Sequence, residues 1–273
     1  MLAKGRVGKM HTDETHKNKK QSKQNPNPTP LGLHVHNARL AYSNSPIFEN
    51  LSTEISAGKW TCILGPSGVG KSALLRMIVG LGPIDPATRI FSTDGTTLVK
   101  KISWMAQQDL LLPWLTVFKN VALGSHLRGV KPDKEKVLDL LNKVGMHKYC
   151  NDRPDILSGG QKQRVALART LMEGRPIVLM DEPFSSVDAI TRSRLQELAA
   201  DLLTNQTVLL VTHDPLEALR LGHNIYVMSG KPAKLGQVMQ PNEQIPRNPS
   251  NHSLQEMHSL ILAQLKSAVI ESN

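Results

Sequence analysis

A mainly parallel α/β sheet is the fold class this sequence predicts, on three observations. Three short apolar runs, WTCIL at 60–64, IVLM at 177–180 and TVLLV at 207–211, show no polar alternation, as expected of strands buried on both faces. Each is followed within a few residues by a turn and then a helix-period pattern, the alternation that builds parallel sheets. The first run passes directly into GPSGVGKS at 65–72, a glycine-rich turn that opens onto the helical stretch SALLRMIVGL.

The other elements follow in order. Residues 1–30 are rich in Lys, His, Asn, Gln and Pro and end in NPNPTP, which reads as a disordered basic tail. From Leu33 the string LHVHNARLAY alternates like a strand, and a second strand is expected around Phe48–Ile55; together they suggest an antiparallel β lobe. Ala57-Gly58-Lys59 makes a turn, and the helix after the glycine-rich string should stop at Gly80 or Gly82. Between Gly82 and Ile102 the segment PIDPATRIFSTDG carries no clear hairpin.

Residues of about 112–160 read as a helical subdomain, with helices around 117–127 and 133–144. Further helices are expected at 158–173, 190–203 and over PLEALRLG, and short strands over IYVMSG and KLGQVM. The main domain then spans 31–240. A tail at 241–273 places Leu254, Met257, Ile261, Leu265 and Ala268 on one face of an amphipathic helix, read as packing on its own domain.

Composition excludes several classes. No run of about 18 apolar residues suggests a bilayer span, and the polar, basic N-terminus does not resemble a secretory signal. Cys62 and Cys150 are far apart with no C-x-x-C pair, against a disulfide scaffold or structural zinc site and in keeping with a reducing compartment. About half of the formal charge of +10 comes from the first 23 residues, where Lys4, Arg6, Lys9, Lys17, Lys19, Lys20 and Lys23 face only Asp13 and Glu14. Such a tail is compatible with simple solvation or with an anionic membrane surface. Aromatic residues are 4% of the chain, and the folded part is only mildly basic, so no nucleic-acid partner is expected.

The string Gly65, Pro66, Ser67, Gly68, Val69, Gly70, Lys71, Ser72 has the chemistry of a phosphate cradle. Its glycines let successive N–H groups approach anionic oxygens at a helix N-terminus. Lys71 supplies charge to the β- and γ-phosphates, and the Ser72 hydroxyl can ligate Mg²⁺. Asp181 ends an apolar strand, where a carboxylate is costly to bury unless a cation stands beside it. Ser158-Gly159-Gly160-Gln161, inside LSGGQKQR at 157–164, opens a predicted helix and forms a second anion-binding surface.

In this order and spacing, GPSGVGKS, LSGGQKQR and IVLMDEP resemble the ATP-binding subunit of an ABC (ATP-binding cassette) transporter over roughly residues 33–240. The resemblance implies a P-loop NTPase core and two copies meeting head to tail, each signature capping the partner's ATP. It implies that Glu182 polarises the attacking water, that His213 contacts the γ-phosphate, and that Gln107, favoured over Gln108, senses Mg²⁺ and water. Asp188 in SSVD resembles the aspartate that links the two sites, although Val187 stands where leucine is usual. Tyr42 matches the aromatic that stacks on adenine, with a core tyrosine as the alternative. LLLPWLTVFKNV resembles the nitrate, sulfonate, taurine and thiamin-pyrimidine importer branch, where exposed Leu112, Pro113, Trp114 and Leu115 would receive a permease helix, with filling of the subdomain core as the alternative. The implied setting is the cytoplasmic face of a bacterial inner membrane, with transmembrane permease subunits as partners and a solute-binding protein acting indirectly. The other class considered is an ABC ATPase acting on nucleic acid or ribosomes without a permease.

Overall fold

The computed structural model describes residue 1 and residues 29–42, 45–248 and 250–272; the expected basic tail lies almost wholly outside them. Two sheets are present among the described residues. The larger joins β5 (Ile102–Met105), β6 (Ile177–Asp181), β7 (Thr207–Val211), β3 (Trp60–Leu64), β8 (Asn224–Ser229) and β9 (Lys234–Leu235) in that order. All neighbours in it are parallel except β9. The smaller is an antiparallel lobe in the order β2 (Ser45–Ile55), β1 (Leu33–Tyr42), β4 (Arg89–Ser92).

Side-chain alternation along the three apolar strands splits the core. Cys62, Leu64, Val178, Met180, Val208 and Leu210 point to one face. There they meet α5 (Gly159–Met172), α6 (Ala189–Leu202), α7 (Pro215–Leu221) and α8 (His252–Ser272). Ile63, Ile177, Leu179, Leu209 and Val211 point the other way, onto α1 (Lys71–Ile78) and the antiparallel lobe. Covering both faces is what permits uninterrupted apolar strands. Leu254, Ile261 and Ala268 of α8 are fully buried in the first of these cores, one apolar stripe at helical spacing.

A third cluster gathers α2 (Val117–Val121), α4 (Lys134–Lys143), Met146 and Leu157 against Val165, Ala168 and Met172 of α5. Helix α5 therefore serves two cores, and its N-terminus faces out between them. Two local expectations need correction. The single helix at 117–127 is two, α2 and α3 (Leu123–Leu127), broken at Ala122. Gly124 passes so close to Glu173 that a Cβ there would overlap its carboxylate. The segment before Ile102 is not featureless: β4 pairs with β1, and a turn at Asp94-Gly95 follows it.

Candidate functional site

The carboxyl ends of β3, β5, β6 and β7 lie side by side, and every loop leaving them carries a residue singled out by sequence. Outside the carboxyl ends of parallel strands is where open α/β sheets bind ligands. After β3, Gly65 passes under β8 so closely that a Cβ would lie 2.6 Å from the Met228 carbonyl oxygen. Gly70 has φ 116° and caps α1 with no side-chain hydrogen bond, leaving first-turn N–H groups for an anion.

The Lys71 ammonium donates to the carbonyl oxygens of Gly65 (2.8 Å) and Pro66 (3.0 Å). Burial pushes its pKa down, while Glu182 and Asp181 oppose that shift. Ser72 Oγ donates to Asp181 Oδ1 at 2.9 Å. Burial raises the Asp181 carboxyl, the Ser72 bond lowers it, and Glu182 adds to the rise. A hydroxyl and a carboxylate held together are hard oxygen donors that fit Mg²⁺, which takes one or two protein ligands beside substrate phosphates.

Glu182 is the meeting point of three loops. Its backbone has φ 46°, a sparsely populated conformation for a side chain of this size. Its N–H donates to the Val211 oxygen at 2.9 Å, prolonging the sheet ladder by one residue. One carboxylate oxygen, Oε2, lies 3.2 Å from Gln107 Nε2 and 3.1 Å from His213 Nδ1. Gln107 follows β5 and His213 follows β7, so three strand ends converge on one oxygen. Gln107, not Gln108, makes this contact.

The signature opens a different surface. Ser158 caps α5 by accepting from Gln161 N, while Gln161 Oε1 accepts from Ser158 N at 2.8 Å, a reciprocal capping box. Ser158, Gly159, Gly160 and Gln161 border a cavity of about 470 Å³ shared with Ser186, Val187 and Asp188. The Asp188 carboxylate is occupied as the cap of α6, accepting from Ile190 N and Thr191 N; the Thr191 backbone bond holds its pKa low. Tyr42 ends β1 and is exposed, paired with Ser45 across the hairpin. The same hairpin, through Ile47 and Phe48, packs against Gly70.

Four further side chains, not singled out by sequence, hold these loops. Gln163 donates to the Gln107 carbonyl oxygen and to Ser186 Oγ. Arg169 donates to the carbonyl oxygens of Asp109 and Leu110. Arg192 and Asp214 join the loops after β6 and β7. Asp214 before Pro215 carries a recognisable helix-start signal; the others pair only through the tertiary fold.

Fold and site together define a P-loop nucleoside-triphosphate-binding protein with a second glycine-bearing helix start. Residues 48–185 match the ABC transporter family. An uncharacterized ABC transporter ATP-binding protein of Haemophilus influenzae is 41% identical over 249 residues, covering 85% of this chain and 98% of that protein. The aliphatic sulfonates import ATP-binding protein SsuB of Bacillus cereus is 37% identical over 223 residues, covering 81% and 88%. Among solved structures, the ATP-binding cassette MJ0796, a dimer in a post-hydrolysis state bound to ADP and Pi, superposes with TM-score 0.67 at 29% identity, covering 78% of this chain and 100% of that one. The chain belongs to the ATP-binding proteins of the ABC transporter family, and it is an ABC ATPase. Among the described residues no helix is long and apolar enough to cross a membrane.

Proposed function

We propose that this chain energises an ABC importer, hydrolysing two ATP held between two head-to-tail copies and driving a separate transmembrane permease. The observation that carries the hydrolytic part is the convergence of Gln107 and His213 on Glu182 Oε2. A carboxylate held on two sides beside a phosphate loop is positioned to accept a proton from water as its oxygen attacks the γ-phosphorus. The bond from that phosphorus to the β–γ bridging oxygen breaks, leaving ADP and phosphate. Ser72 and Asp181, together with Gln107, would hold Mg²⁺, which would supply neutralising charge to the phosphates. Lys71 and the N–H groups of Gly68 and Gly70 orient them, Tyr42 offers a flat face to adenine, and the partner copy's signature closes the site. The Asp188 cap keeps the loop joining the two sites in one shape.

The docking reading rests on Trp114, which is 66% exposed, and on the adjoining exposed Pro113. Leu112 and Leu115 are half-buried beside them. An exposed aromatic on the loop that leaves Gln107 is an apolar anchor for a permease helix. Relatives named for aliphatic sulfonate import favour that substrate class over nitrate or a thiamin-pyrimidine precursor. The chain would sit peripherally on the cytoplasmic face of the inner membrane, served indirectly by a solute-binding protein.

The test is Glu182→Gln. The amide keeps the shape and loses basicity, so ATP binding should persist, hydrolysis should nearly vanish and an ATP-bound dimer should accumulate. Wild-type turnover would remove Glu182 as the base.

A further inference from the structure

We propose that Arg192 is a positioning residue: its ion pair with Asp214 locks the loop Phe184–Val187 to the backbone around His213 and so fixes that histidine against Glu182. The inference rests on the hydrolytic reading of Glu182 and His213 above.

Arg192 divides its guanidinium among three acceptors on two loops. Nε donates to the Phe184 carbonyl oxygen at 3.2 Å and Nη2 to that of Val187 at 3.3 Å, gripping both ends of the loop after Glu182. Nη1 donates to Asp214 Oδ2 at 3.3 Å. A planar fork of donors can satisfy such a set, whereas a lysine ammonium cannot span it.

Asp214 is equally committed. Its Oδ1 caps α7, accepting from Leu216 N at 2.9 Å, and its own N–H donates to Thr212 Oγ1 at 3.1 Å. Thr212 N in turn donates to the Ile63 oxygen. The backbone is thus pinned on both sides of His213, while the His213 side chain is 56% exposed. Its ring has little packing of its own to place it, so its distance from Glu182 is set by that backbone. At the other end, Ser185 N and Oγ donate to the Glu182 carbonyl oxygen. The contacts close a ring from Glu182 through the loop, Arg192, Asp214 and His213 back to Glu182. No member of the ring other than Glu182 and His213 is assigned to chemistry.

The experiment measures steady-state ATPase, fluorescent-nucleotide affinity and melting temperature for the full chain and for Asp214→Asn, Arg192→Met, Arg192→Lys, the Asp214→Asn/Arg192→Met double variant and His213→Ala. Asparagine caps a helix as well as aspartate does, so Asp214→Asn removes the charge and spares α7. Its kcat should fall roughly tenfold, the scale of a displaced catalytic group, with nucleotide affinity and melting temperature unchanged. Arg192→Met, which also frees the Phe184 and Val187 carbonyls, should lose at least as much, Arg192→Lys should fall between wild type and Arg192→Met, and the double variant should be no slower than Arg192→Met, because the link to Asp214 is already broken there. Wild-type kcat in Asp214→Asn, multiplicative losses in the double variant, or losses that merely track melting would overturn the proposal. If Arg192→Met does not fold, Asp214→Asn decides alone. Wild-type turnover in His213→Ala would instead defeat the underlying reading of the histidine.

Discussion

Two helices of this molecule begin with glycine-bearing loops, and they solve the same end problem in opposite ways. At α1, Gly70 stands at φ 116° with no side chain capping the first turn. At α5, Ser158 sits in ordinary extended conformation and a reciprocal capping box closes the first turn from within. The glycines differ in the same sense. Gly70 is needed for its backbone conformation and because a Cβ would fall 2.8 Å from Ile47 Cγ2. Gly160 has helical geometry, and a Cβ there would press on the Thr191 methyl at 2.7 Å and reach Val187 Cγ1 at an ordinary 3.6 Å. The first start is left incomplete, with no side-chain cap on its first-turn N–H groups; the second is capped from within and its residues border an open cavity. That asymmetry is what the proposed head-to-tail assembly requires, one start binding nucleotide in the monomer and the other adding to it only in the dimer.

The largest effect should come from the incomplete start. Lys71→Ala removes the cation that the loop carbonyls hold at its centre. Nucleotide affinity measured by fluorescence titration should drop by roughly two orders of magnitude, the scale of losing a charge-assisted bond to phosphate. Unchanged affinity would erase the contrast between the two helix starts. Gly70→Ala follows: backbone strain plus overpacking against Ile47 and Phe48 should cost about 3 kcal/mol in chemical denaturation. Gly160→Ala, relieved by a turn of Thr191, should cost about 1 kcal/mol or less.

Glu217 offers a comparison between two acids near the strand ends. Asp181 is buried but bonded to Ser72 and faces Lys71. Glu217, in the first turn of α7, is pushed up to about 7, chiefly by burial. Gln196 Nε2 donates to it at 3.2 Å. A carboxyl raised above its unfolded value contributes stability that is full below about pH 4.5 and lost as pH rises through about 7. Glu217→Gln should flatten that decline and stabilise the fold at pH 8 by an amount on the order of 3 kcal/mol. An unchanged pH profile of melting would show that the carboxyl is not the source.

Trp114→Ala tests the exposed surface rather than the nucleotide site. With 66% of the residue exposed, the melting temperature and basal ATPase should hold. Association with permease-containing membranes should weaken by about 2 kcal/mol, as for an interface anchor. A lower melting temperature with lost hydrolysis would make it a packing residue.

What could be read from the sequence follows from how local each signal is. The strands β3, β6 and β7 announced themselves because burial on both faces leaves uninterrupted apolar runs. Strands β4 and β5 did not: each has four residues, and β5 alternates half-buried with buried positions at the sheet edge. Phosphate-loop and signature residues were legible because their chemistry needs contiguous residues. Arg192 and Asp214 lie 22 residues apart, and Gln163 reaches Gln107 across 56. Nothing local in sequence marks partners that only the packing of α5 and α6 brings together.

The smallest effect should come from the self-sufficient start, and it sharpens the comparison most. Ser158→Ala deletes the hydroxyl that accepts from Gln161 N, and loss of a serine cap costs about 1 kcal/mol. Ser158→Asn keeps an acceptor at that position, so it should restore most of the stability. Neither variant touches the loop at 65–72, so nucleotide affinity of the monomer should be the same in both and in the wild type. The two should separate only where copies associate: if the serine hydroxyl meets the partner's nucleotide, ATP-dependent dimerisation will be weaker in both variants, including the asparagine variant whose cap is intact. Should Ser158→Asn dimerise normally, the serine serves only to start its helix, and the two glycine-bearing loops would no longer be two halves of one site.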